Sequence, residues 1–101
     1  MPELRYSRLA LADLDRLASF LDEHDPVGAA TTYALIFEAL SILGRHPLIG
    51  RLVESSLREL VISRGRTGYV ALHSLDLADD AVTIWAIRHQ RGVGYQDADI
   101  G

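Results

Sequence analysis

The sequence predicts an α+β fold in which an N-terminal helical hairpin packs on one face of a small, mainly antiparallel sheet, in the order β-α-α-β-β-β. Two observations carry this prediction. Apolar residues recur at helical spacing to about residue 45, whereas beyond residue 56 short runs rich in Val, Ile, Tyr and Trp alternate with turn-forming residues. The 101 residues are 49% hydrophobic and 24% charged, which is typical of one folded domain, 1–101.

A short first strand is predicted at Glu3–Tyr6, followed by a helix over residues 8–23. Ser7 is suited to cap this helix, because its hydroxyl can accept a backbone N–H that lacks a helical partner. The apolar positions that share one helical face are Leu14, Leu17, Ala18 and Leu21. The acidic residues of the helix are interpreted as its solvated face.

A second helix is predicted to begin at Asp25-Pro26, with Asp25 as N-cap and Pro26 in the first turn, and to run to about Arg45. Gly44 and Pro47 favour its termination there. Only a few residues separate the two helices, so we expect an antiparallel hairpin.

Three strands are predicted at residues 57–63, 69–75 and 82–89, joined by short turns that favour an antiparallel meander. Alternation places Val82, Ile84, Ala86 and Arg88 on one face of the last strand, and Trp85 with Ile87 on the other. The sheet is therefore expected to be apolar on both faces. A partner surface, further wrapping by the helices and a homodimer all explain this equally well. Residues 96–101 are interpreted as a polar tail.

The amino-acid composition and the charge of the chain argue against several classes of function. The formal charge is −4, all ten basic residues are Arg, and Cys is absent. Residues 1–44 sum to −4, residues 45–91 to +2 and the last ten to −2. An acidic chain argues against general nucleic-acid binding, and the absence of Cys excludes disulfides and thiolate chemistry. No apolar run is long enough to span a membrane and no signal-peptide pattern is present, so a cytoplasmic location is expected.

Basic and aromatic side chains near the predicted sheet are candidates for binding an anion or cleaving RNA without a metal: Arg58, Arg88, His89, Arg91 and Tyr95. The structural alternative is that Arg58 pairs with an acid of a helix, that Arg88 forms an internal pair and that His89 only ends its strand. Arg64 and Arg66 are interpreted as solvated turn residues. No metal-ligand spacing or cofactor motif is present, so neither a metal nor a cofactor is expected.

Five segments, in this order, are similar to the RelE/ParE superfamily of toxins from bacterial type II toxin–antitoxin modules: SRLALADLD (Ser7–Asp15), HPLIGR (His46–Arg51), LREL (Leu57–Leu60), GYVALH (Gly68–His73) and IWAIRHQR (Ile84–Arg91). The resemblance implies a toxin that is neutralised in a hetero-oligomer with a cognate antitoxin, whose flexible segment covers sheet and helix surfaces. The candidate contacts for that antitoxin are Leu57, Leu60, Tyr69, Leu72 and Trp85.

The superfamily contains two activities. ParE-like toxins poison DNA gyrase, whereas RelE-like toxins cut mRNA on the ribosome, for which Arg58, Arg88 and Tyr95 loosely match the family's catalytic positions. The missing Lys and the acidic charge favour ParE-like action, with no catalytic residue and with Arg58, Arg88, His89 and Arg91 as target or anion contacts. A third alternative is an inactive homologue that only binds antitoxin and modulates transcription.

Overall fold

The computed structural model, which describes residues 2–62 and 68–89, has two helices packed on one face of a five-stranded mixed sheet. This confirms the predicted α+β class and the helical hairpin on one sheet face. The elements in chain order are β1 (Glu3–Tyr6), α1 (Arg8–His24), α2 (Ala29–Ile42), β2 (Arg51–Glu54), β3 (Leu57–Val61), β4 (Tyr69–Asp76) and β5 (Ala81–His89).

The strands lie in the order β1-β5-β4-β3-β2. The run β2 to β5 is an antiparallel meander, as the short connections predicted, and β1 pairs in parallel with β5. Two neighbouring parallel strands must be joined by a long crossover connection, and here the whole segment between β1 and β5 forms that connection. The first strand therefore lies beside the last strand, next to the start of α1.

The second helix differs from the prediction at both ends. It begins at Ala29 with Gly28 as N-cap and ends at Ile42, before the expected end at Arg45. Asp25 does not cap it, because the helix begins only at Ala29; the Asp25 carboxylate accepts the Gly28 N–H at 3.1 Å within the connecting turn. Residues 25–28 are therefore a turn between helices, and the interpretation of Asp25 as N-cap was wrong.

Strand β2 was not predicted. All four of its residues are exposed, and its pairing with β3 shifts between Leu52 and Glu54. It follows Gly50, whose positive φ of 100° suits glycine, and it precedes Ser55, which also has a positive φ. Because all of β2 is exposed and its register is irregular, its sequence lacks the alternation of apolar and polar residues by which a strand is recognised.

The faces of β5 also differ from the prediction. Leu72 pairs with Ala86 and His73 with Ile84, which leaves Trp85 as an extra residue in a bulge. The bulge reverses the alternation, so Ile87 joins Val82 and Ile84 in the core beneath the helices. Assigning Ile87 to the face of Trp85, and Ala86 to the face of Val82, was therefore wrong.

The core lies between the helices and one face of the sheet. Its buried members from the helices are Ala10, Ile36, Leu40 and Leu43, and those from the sheet are Tyr69, Ala71, Val82, Ile84 and Ile87. The opposite face is only partly exposed: Val70 and Ala86 are buried on it, whereas Trp85 is 46% exposed. Its indole N–H donates to the Ser74 hydroxyl at 2.8 Å.

Candidate functional site

The start of α1 is anchored on β5. Ser7 caps the helix as predicted, since its hydroxyl oxygen accepts the Ala10 N–H at 3.0 Å. The same hydroxyl donates to the Trp85 carbonyl at 2.8 Å, and the Ser7 N–H donates to the Ile84 carbonyl at 3.0 Å. These bonds fix the direction in which α1 crosses the sheet, and they bring its second turn over the end of β5.

Asp13 is a buried carboxylate at this crossing. One oxygen accepts the backbone N–H of Ile87 at 2.9 Å, and the residue is only 3% exposed. The other oxygen is paired with Arg16 one turn along the helix, and the Arg88 Nε lies 3.7 Å from the first. The interpretation of the acids on this helix as one solvated face was therefore wrong for Asp13. Its position three residues after Ala10 and four before Leu17, on the buried stripe, was the available signal.

A groove of about 530 Å³ opens beside Asp13, between α1 and the end of β5. We call it the α1–β5 groove, and its lining residues are Asp13, Arg16, Leu17, Phe20, Tyr69, Ile87, Arg88 and His89. The Tyr69 and His89 rings meet edge to face at 5.2 Å between centroids. Burial raises the pKa of Tyr69, with a smaller contribution from the charge of Asp25, so the phenol stays neutral near pH 7.

Of the side chains proposed for RNA cleavage, the structure does not bring Arg58 and Arg88 together. Arg58 lies on β3 and Arg88 on β5, and β4 separates the two strands. On β4, Arg58 is paired with His73 and Arg88 with Val70. Those positions are about 10 Å apart along the strand. Arg58 donates to the Gly50 carbonyl at 3.3 Å rather than to a helix acid. Tyr95 and Arg91 lie outside the described residues, as do Arg64, Arg66 and the polar tail.

The five candidate antitoxin contacts are not equally accessible. Tyr69 is buried and lines the α1–β5 groove, whereas Leu60 is half-buried and packs against the core. Leu57 and Leu72 are half-buried, and Trp85 is the most exposed of the five. A ligand would therefore meet Trp85 on one side of the sheet and Tyr69 through the groove on the other.

His73 is a buried polar residue that sequence reasoning did not select. It is fully buried, and neither ring nitrogen has a hydrogen-bond partner in the described part of the chain. Burial of the ring is the largest influence on the pKa of His73, and it lowers that pKa. The Ile49 carbonyl acts in the opposite direction, and the Arg58 charge lowers the pKa further. The ring is therefore neutral at pH 7 and belongs to the packing under the chain that leads into β2.

Within residues 2–62 and 68–89, no three His, Asp or Glu side chains are grouped so that they could hold a metal ion. The same ranges contain no helix that is long and apolar enough to cross a membrane.

Comparison with known proteins gives the following similarities. A family model described as "ParE toxin of type II toxin-antitoxin system, parDE" matches residues 4–94. Toxin RelE3 of Caulobacter vibrioides is 35% identical over 80 residues, which cover 79% of this chain and 85% of that protein. Among solved structures, the chromosomal ParDE system from P. aeruginosa matches with a TM-score of 0.72 at 24% identity, covering 88% of this chain and 96% of that chain. The RelBE2 toxin–antitoxin complex from Mycobacterium tuberculosis matches with a TM-score of 0.53 at 22% identity, covering 88% and 99%. At these identities the two structures establish a shared fold.

Proposed function

The chain belongs to the ParE toxin family, within the RelE/ParE superfamily of type II toxin–antitoxin toxins, and from that premise we propose that it arrests growth by poisoning DNA gyrase. In this proposal the toxin acts in the cytoplasm and stabilises the state in which gyrase has cleaved DNA. A cognate antitoxin neutralises it by forming a hetero-oligomer.

The observation that carries the choice of target is the separation of Arg58 from Arg88. A metal-independent ribonuclease needs basic side chains that converge on one phosphate, because the charge that develops there must be stabilised in place. Here the Arg58 guanidinium donates to the Gly50 carbonyl, and Arg88 lies beside the Asp13 carboxylate. The chain also has no Lys, and its net charge of −4 disfavours docking on ribosomal RNA.

A ribosome-dependent mRNA endonuclease is the second candidate, and one observation favours it. The curated relative at 35% identity carries the name Toxin RelE3. Under this reading Arg58, Arg88 and Tyr95 would act at the scissile phosphate, and Arg88→Ala or Tyr95→Ala would abolish cleavage.

Expression of the chain from a tightly repressed promoter, with and without its cognate antitoxin, distinguishes these possibilities. We expect growth arrest without antitoxin, a DNA-damage response, and chromosomal breaks that depend on gyrase. mRNA cut at ribosomes with intact chromosomes would instead support the nuclease. Normal growth at full expression would support an inactive homologue that only binds antitoxin.

A further inference from the structure

We propose that the exposed edge of β2 pairs with β2 of a second copy of this chain, so that the free toxin forms a two-fold symmetric dimer with one sheet continuing across both molecules. The proposal does not depend on which target the toxin attacks. Strands β3 and β4 separate β2 from β5, so a dimer formed through β2 leaves the α1–β5 groove open in both copies.

Strand β2 is an open edge of the sheet. It is the last strand in the order β1-β5-β4-β3-β2, and its only strand neighbour within residues 2–62 and 68–89 is β3. All four of its residues are exposed. An edge strand presents backbone N–H and C=O groups that a strand from another molecule can bind, so β2 offers a template for pairing between molecules.

The bulge in β2 makes its charges self-complementary. In a regular strand, residues three apart lie on opposite faces. Here Arg51 pairs with Glu59 and Glu54 with Leu57, and because the register shifts at Val53, both charged residues of β2 lie on the same face. A two-fold axis perpendicular to the sheet keeps that face the same in both copies. Antiparallel pairing centred on the bulge therefore sets Arg51 of each copy opposite Glu54 of the other.

These two charges can take part in a contact between copies. Arg51 donates to Glu59 at 3.0 Å, but its side chain is 73% exposed, which leaves further N–H donors of the guanidinium open. Glu54 is exposed and forms no ion pair within the part of the chain that the structure describes. At the other edge of the sheet, Arg5 of β1 already binds acids of its own chain. Charge complementarity therefore favours β2 as the edge that binds a second copy.

The size of this surface predicts a weak dimer. Leu52 and Val53 lie at the centre of the pairing and are exposed, as is Leu48 just before the strand. A hollow of about 590 Å³, lined by residues 45–49, extends the apolar surface. A strand of four residues is only about 13 Å long, so the contact falls at the small end of specific interfaces. We therefore expect a dissociation constant of about 10–100 µM.

The test is sedimentation velocity of the purified full-length toxin over a concentration series that spans this dissociation constant. We expect a monomer–dimer equilibrium. Arg51→Glu and Glu54→Arg each set like charges opposite one another twice in the dimer, so each should weaken dimerisation about tenfold or more. An equimolar mixture of the two variants should dimerise as the wild type does, because every cross-strand pair in the mixed dimer again joins opposite charges. A variant that only fails to fold would not regain dimerisation in the mixture.

A second comparison tests the apolar part of the contact with a matched control. Leu52→Ser should weaken dimerisation about tenfold, whereas Leu77→Ser, in the turn between β4 and β5, should change it less than about twofold. A toxin that stays monomeric throughout the series, or variants that dimerise no better mixed than alone, would overturn the proposal. A monomeric toxin in which Leu52→Ser weakens binding of the cognate antitoxin would assign the edge to that partner and would equally refute a dimer.

Discussion

Asp13→Ala should destabilise the toxin strongly. The substitution leaves the Ile87 N–H, now bonded at 2.9 Å, buried without an acceptor, at a cost of about 1–3 kcal/mol. A small cavity and the loss of the carboxylate beside Arg88 bring the total to about 2–4 kcal/mol, whereas the largely exposed Arg16 contributes little. For a domain of this size the loss corresponds to a Tm lower by about 10–20 °C, measured by circular dichroism on the free toxin.

Two further variants test whether the Asp13 carboxylate is responsible for this loss of stability. Asp13→Asn keeps an oxygen that can accept the Ile87 N–H, so it should lose about half as much stability as Asp13→Ala. Asp15→Ala removes an exposed acid from the same helix and should lie within about 0.5 kcal/mol of the wild type. If Asp13→Ala melted within about 2 °C of Asp15→Ala, the carboxylate would not be holding α1 on β5 and the reasoning would fail.

Three other predictions concern stability, each measured by urea unfolding. Because burial lowers the pKa of His73 below 6.5, the unfolded chain binds this proton before the folded chain does. The free energy of unfolding should therefore fall as the pH drops below about 6.5, and His73→Leu should flatten that fall; an equal slope in both proteins would contradict it. Ser7→Ala removes the cap of α1 and should cost about 1 kcal/mol, while Ser41→Ala, which loses only a bond to a carbonyl in its own helix, should be nearly neutral. Gly50→Ala places a Cβ 2.6 Å from the Glu59 carbonyl oxygen at a positive φ, so it should cost more than about 1 kcal/mol; a neutral result would refute the backbone constraint.

The elements that were predicted correctly are those with strong local signals. Strand β1, helix α1 with its Ser7 cap, and strands β3 to β5 follow directly from apolar spacing, β-branched runs and turn residues. Each of these signals is contained in a few consecutive residues. The short turns between the strands predicted the antiparallel meander, and the overall class was confirmed.

The parts that were missed depend on contacts between distant segments. Strand β2 is exposed, so it exists only through its pairing with β3. The bulge at Trp85 adds one residue to β5, and no local pattern reveals an added residue, yet it turns Ile87 into the core beneath the helices. Asp13 resembles the other acids of α1 until its partner, the Ile87 N–H, is brought to it by the fold.

Gyrase-dependent DNA cleavage by the purified toxin tests the central claim most directly. The toxin is mixed with DNA gyrase, ATP and supercoiled plasmid, and the reaction is stopped with detergent and protease so that trapped breaks appear as linear DNA. We expect linear plasmid to accumulate with toxin concentration and to disappear when an equimolar amount of antitoxin is added. Intact plasmid at every toxin concentration, together with cut mRNA when the same preparation is added to translating ribosomes, would contradict the account.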